Sequence, residues 1–218
     1  KKELDFLGRL LASPARPFYV VLGGAKVSDK IGLIENLSTK VDGILLGGGL
    51  AYTFLKAQGV SVGRSRVEEE KIHQARRIFQ KAKELGIPLY LPSDHRVADQ
   101  IAPDAAPQVV SSMGAREIGL DIGPETEKHY ADILRSAKTV FWNGPMGVFE
   151  YPPFAGGTIV IAKAIAASGA TSVVGGGESL AAVRMAGVAD KITHLSTGGG
   201  ATLEYLEGKE LPGLKVLE

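Results

Sequence analysis

The stretch FYVVLGGAKVSDKI, residues 18–31, sets a five-residue apolar run directly before a glycine pair and two lysines. A run that is apolar on consecutive positions fits a strand buried on both faces, the pattern of a parallel sheet covered by helices. GILL (43–46), PLYL (88–91), TVFW (139–142), SVV (172–174) and THL (193–195) are further strand candidates. Helical spacing fills residues 28–39, 50–58, 68–86, 124–137, 156–168, 179–187 and 200–206. Strands alternating with helices imply right-handed crossovers, which predicts an α/β fold: a doubly wound, Rossmann-like parallel sheet with helices on both faces, in three layers. Residues 92–123 break that rhythm, being polar and proline-bearing, and are expected to leave the main sheet, with VADQIA and QVVSS as a small strand pair.

The 218 residues suffice for one sizeable core. Lys plus Arg number 25 against 24 for Asp plus Glu, so no broad field steers the chain onto nucleic acid or an anionic membrane, and neither is an expected partner. Any anion site must be local. There is no cysteine, which excludes disulfides, zinc–thiolate sites and cysteine nucleophiles, and fits the reducing cytoplasm expected as its location. The opening KKELDFLGRLLASPARP is a charged amphipathic helix pattern rather than a signal peptide, and no apolar run reaches the roughly 18 residues needed to span a bilayer.

Glycine is the informative count: 28 residues, gathered at the ends of apolar runs. VVLGGAK (20–26), ILLGGGLAYTF (44–54), SVVGGGES (172–179) and THLSTGGGA (193–201) should all open at the carboxyl edge of the sheet. That edge is where open parallel sheets bind ligands, and the following helix N-termini offer free N–H groups. A single glycine pair can simply close a tight turn; four together predict a lined crevice. Neither GxxxxGK[ST] nor GxGxxG occurs, so the chain is neither an ordinary P-loop protein nor an evident dinucleotide dehydrogenase. If the segment after Gly24 is helical, Lys26 and Lys30 share one face of its first turn, where an anion between them would relieve their repulsion. Two solvated surface lysines are the bland alternative.

GGAKVSDKI (23–31), ILLGGGLAYTFL (44–55), GLDIGPET (119–126), WNGPMGVFE (142–150), VVGGGES (173–179) and STGGGATLEYLEGKELPG (196–213) occur in one order and register. In this the chain resembles the C-terminal, nucleotide-binding half of phosphoglycerate kinases, over nearly its whole length. The resemblance implies reversible phosphoryl transfer between 1,3-bisphosphoglycerate and ADP in glycolysis, with Mg2+ and ADP or ATP bound here. Phosphoglycerate would be held by an N-terminal half that these residues do not include. It further implies a monomer in which residues 1–12 end an interdomain helix, 13–213 form the nucleotide domain and 214–218 a tail. The fragment alone is expected to be inactive.

Residue by residue, the resemblance assigns Lys30 to the nucleotide phosphates and Lys26 to the group in flight, with Gly177 and Gly199 beside it. Asn143 is similar to a phosphate-contacting asparagine, and Glu150 to the carboxylate that accepts the ribose hydroxyls. Gly23, Gly24, Gly47, Gly48, Gly119, Leu120, Pro145 and Val148 resemble the walls of an adenine slot. Gly176, Gly177 and Ser179 would offer backbone N–H groups to the β-phosphate. Glu178 stands where the family has an aspartate that binds magnesium, and Arg66 where it has an adenine-wall leucine. His73, His95, His129 and His194 are read as surface or core residues. A stand-alone nucleotide-binding module and an oxidoreductase domain are the competing readings.

Overall fold

The computed structural model describes residues 2–209, with side chains from Phe6 onward except Arg9. The expected tail at 214–218 and the end of the expected domain lie outside the described residues. The strands are β1 (Phe18–Leu22), β2 (Gly43–Leu46), β3 (Leu89–Tyr90), β4 (His95–Ala98), β5 (Gln108–Val110), β6 (Ile118–Ile122), β7 (Thr139–Asn143), β8 (Thr171–Gly175) and β9 (His194–Ser196). The helices are α1 (Lys2–Ala12), α2 (Ile31–Leu37), α3 (Gly48–Ala57), α4 (Ile72–Glu84), α5 (Pro124–Arg135), α6 (Gly156–Ala167), α7 (Gly177–Met185) and α8 (Gly200–Leu206).

Six strands form a parallel sheet in the order β3-β2-β1-β7-β8-β9. The two-residue period of a strand sorts their apolar side chains into two cores. Val20, Leu22, Ile44, Leu46, Phe141 and Val173 face one way, onto α1, α2, α3, α4 and α8 through residues such as Leu7, Leu33, Phe54, Ile78 and Leu206. Val21, Leu45, Val140, Trp142 and Val174 face the other, onto α5, α6 and α7 through Tyr130, Leu134, Ile161, Ala162 and Val183. This is the expected three-layer, doubly wound architecture. The strand order reverses between β1 and β7, and the crevice for a ligand opens at their carboxyl ends.

Two local expectations are corrected. Helix α2 begins at Ile31, not 28, because residues 28–30 form a turn in which the Lys30 N–H donates to Val27 O at 2.9 Å. Lys26 and Lys30 therefore stand on a loop and a turn rather than on one helical face. The excursion is a three-stranded antiparallel sheet, β5-β4-β6, not a pair. Its strand β6, IGLDI, escaped notice because a buried acid, Asp121, interrupts the apolar run. Helix α3 and the small sheet share a third cluster around Tyr52, Val62 and Val97, which brings β6 up to the crevice.

Candidate functional site

The loops after β1 and β7 are stitched together at the switch point: the Gly23 N–H donates to Asn143 O and the Gly24 N–H to Pro145 O, both at 2.9 Å. Only glycine permits that approach. A Cβ on Gly23 would lie 2.0 Å from Pro145 O, and one on Gly48, whose φ is +64°, 2.7 Å from the Gly24 nitrogen. The backbone there leaves two adjoining clefts along the carboxyl edge.

The first cleft, about 340 Å³, is lined by Gly24, Gly48, Gly119, Leu120, Pro145 and Val148, with Glu150 and Arg66 also on its wall. These were expected. Gly23 instead lines the second cleft, and Gly47 lines neither, since it packs behind Met146, whose sulfur would be 2.5 Å from an added Cβ. Tyr52, Met146 and Gly147 line the slot unannounced by the motifs. Tyr52 explains Gly119: a Cβ there would meet the phenol oxygen at 2.0 Å. Burial, with Asp121 nearby, keeps that phenol protonated by raising its pKa well above the ordinary value. His95, 3.5 Å from the Tyr52 hydroxyl through Nδ1, is pushed down to about 4 by burial against the opposing pull of Asp94, so it is a neutral core histidine.

Asp121 lies under the slot. Its carboxylate accepts from the Gly157 N–H at 2.8 Å in the first turn of α6, and from its neighbour Ile122 at 2.9 Å. Burial pushes the carboxyl up to about 7, despite those donors and Arg96, with Glu127 adding to the rise. Arg96 spans the pair, 3.4 Å from Asp121 and 2.5 Å from Glu127. Thr158 of α6 in turn accepts from the Met146 N–H at 3.0 Å, so the helix terminus holds the slot wall.

The second cleft, about 390 Å³, brings together Gly23, Lys26, Lys30, Asn143, Gly176, Gly177, Ser179 and Gly199. Lys30 is buried, and its ammonium donates to Asn143 Oδ1. Burial pulls its pKa down, opposed by Asp29, Glu178 and Glu207. Asn143 is itself fixed, donating to Gly175 O at 2.6 Å. Ser179 is wholly buried and its hydroxyl accepts from the Gly144 N–H at 2.6 Å, so this side chain fastens the loop after β7. The first turns of α7 and α8 both open on this basin through Gly177 and Gly200, where the partial positive charge of helix N-termini suits an anion. The two clefts adjoin, sharing Gly24, Ala25 and the exposed Glu178 on their walls.

Among the described residues no three His, Cys, Asp or Glu side chains form a metal cage. Glu178, the carboxylate on the walls of both clefts, nonetheless fits Mg2+, which takes one or two carboxylates and completes its octahedron with phosphate and water oxygens.

Fold and site together define a doubly wound α/β domain with a mainly apolar slot beside a lysine- and glycine-lined basin at its switch point. The family model described as phosphoglycerate kinase matches residues 1–209. The chain is 57% identical over 219 residues to phosphoglycerate kinase of Clostridium botulinum, and 55% identical over 221 residues to that of Koribacter versatilis, covering all of itself and 55% of each relative. Solved phosphoglycerate kinases from Coxiella burnetii (TM-score 0.96, 46% identity) and Pyrococcus horikoshii (TM-score 0.86, 36% identity) cover 99% of the chain, which covers 56% and 55% of theirs. The chain belongs to the phosphoglycerate kinase family, and it spans about half the length of the curated relatives it matches. Among the described residues no helix is long and apolar enough to cross a membrane.

Proposed function

We propose that the chain is the nucleotide-binding part of a phosphoglycerate kinase, holding MgADP or MgATP while a phosphoryl group passes between ADP and the acyl phosphate of 1,3-bisphosphoglycerate. The observation that carries the reading is a mainly apolar slot beside a basin that holds Lys26, Lys30 and two helix N-termini, with Glu178 on the wall of both. A flat base is bound there by contact with Gly119, Leu120 and Val148, and Glu150 accepts the ribose hydroxyls. The phosphates lie over the first turn of α7, offered N–H groups by Gly176 and Gly177. Bound at Glu178, Mg2+ neutralises charge on the phosphate oxygens.

Phosphoryl transfer asks for alignment and dispersed positive charge rather than a nucleophilic side chain. Lys30, kept out of water and aimed by Asn143, meets charge without first shedding a hydration shell. Lys26, exposed on its loop, stabilises the group in flight together with Gly177 and Gly199 at the mouths of α7 and α8. Phosphoglycerate is held from the opposite side by the part of a full-length family member that these residues do not include. The chain is a monomer, cytoplasmic, and on its own binds nucleotide without turnover.

Parallel calorimetric titrations with MgADP and NADH, with an assay for turnover of 3-phosphoglycerate, test this. Saturable MgADP binding, no NADH binding and no turnover are expected. No heat with millimolar MgADP, or turnover at enzymic rates by the pure 218-residue chain, would overturn it.

A further inference from the structure

The loop carrying Lys26 and Lys30 leaves β1 with no helix to stiffen it until Ile31. Its conformation is set from elsewhere. The carboxylate of Glu68, on the connection between α3 and α4, accepts three hydrogen bonds from the middle of this loop. Oε2 takes the Val27 N–H at 2.5 Å and the Ser28 N–H at 3.0 Å, and Oε1 takes the Ser28 hydroxyl at 2.7 Å. Two adjacent amides and a hydroxyl converging on one carboxylate leave the loop little freedom to slide or rotate.

Glu68 is itself tied down, for its own N–H donates to Thr53 Oγ1 on α3 at 3.1 Å. The same connection also reaches the base slot. Ser65 accepts from the Gly119 N–H at 2.9 Å, and Arg66 lines the slot wall. Four residues therefore run from the base wall to the lysine loop. Partial burial alone would raise the Glu68 carboxyl. The Ser28 and Val27 donors, with the Arg66 charge, hold it below the usual range instead, so it is ionised at neutral pH.

We propose that Glu68 is a positioning residue for phosphoryl transfer, clamping Val27 and Ser28 so that Lys26 and Lys30 present their charge to the phosphates. It touches neither base nor phosphate and acts through the loop. Its two carboxylate oxygens are taken up by three donors of the loop itself, and it lines neither cleft. The proposal rests on the reading of the basin as a phosphate site.

The test compares the 218-residue chain with its Glu68→Ala and Glu68→Gln variants, titrating each with MgADP and with adenosine, and measuring amide exchange by NMR without ligand. Loss of charge-assisted bonds to the loop is expected to weaken MgADP about tenfold or more in Glu68→Ala and less in Glu68→Gln, which keeps a neutral acceptor. Adenosine, which does not enter the basin, should bind all three within about twofold. Exchange at Val27 and Ser28 should accelerate in Glu68→Ala while the amides of β1 stay protected. Equal losses for MgADP and adenosine would reduce Glu68 to a general stabiliser and overturn the proposal. So would unchanged exchange at Val27 and Ser28, which reads the clamp whether or not nucleotide binds. If Glu68→Ala fails to fold, Glu68→Gln carries the same comparison. Failure of the unsubstituted chain to bind MgADP would instead strike the nucleotide reading, with the exchange result still deciding the clamp.

Discussion

The Lys30 ammonium donates to the amide oxygen of Asn143, 113 residues further along the chain, and the other end of that amide donates to Gly175 O. One side chain thus joins the turn after β1 to the carboxyl ends of β7 and β8 and aims the buried cation of the basin.

Asn143→Ala removes an acceptor from a buried ammonium and a donor from a buried carbonyl at once. The expected cost is about 1–3 kcal/mol of stability, read from a urea unfolding midpoint at constant slope. MgADP should weaken while adenosine is spared. A variant as stable as the parent would mean that Lys30 and Gly175 find other partners.

Glu150 and Glu178 line one cleft but are assigned to different parts of the ligand. Glu150→Ala should weaken ADP and adenosine alike, by roughly 10- to 100-fold, since both carry the ribose diol. Glu178→Ala should leave adenosine unchanged and reduce the enhancement of ADP binding by Mg2+. Titrations with and without the metal separate the two; the reverse pattern would exchange the assignments.

Asp121 and His95 make opposite contributions to the pH dependence of stability. Asp121, raised to about 7, binds its proton more tightly in the folded state, so its contribution is greatest below the unfolded value near 4 and is lost as pH rises towards 7. His95, lowered to about 4, contributes fully above the unfolded value near 6.5 and loses this as pH falls towards 4. The two terms offset each other between about pH 4 and 6.5. Asp121→Asn should therefore expose the His95 term, giving a variant whose unfolding midpoint falls more steeply than the parent's as pH is lowered through that window. An unchanged pH slope in Asp121→Asn would place the Asp121 titration elsewhere.

The parallel sheet was legible because β1, β2, β7 and β8 are apolar on successive positions, and the glycines that follow them marked the edge where both clefts open. Lys30, Asn143, Glu150 and Glu178 were found through short motifs, and all four line the clefts. What escaped depends on contacts that no local pattern encodes. Tyr52 lines the slot because α3 packs on β6, and Glu68 reaches Val27 across 41 residues. Gly47 lies behind Met146 instead of on a cleft wall; adjacent glycines look alike in sequence, and only the position of Met146 decides which of them lines a cleft. The shared helical face of Lys26 and Lys30 failed because residues 28–30 close a turn onto Val27 O before α2 starts at Ile31.

The most direct measurement is a crystal structure of the 218-residue chain with MgADP. The base is expected between Gly119 and Val148, the ribose hydroxyls on Glu150, the phosphates between Lys30 and the first turn of α7, and the metal beside Glu178. Nucleotide seated elsewhere, for instance in the cavity lined by Phe6, Leu10, Thr139 and Thr193, with the glycine-lined clefts left to water, would contradict the central claim that slot and basin form one nucleotide site.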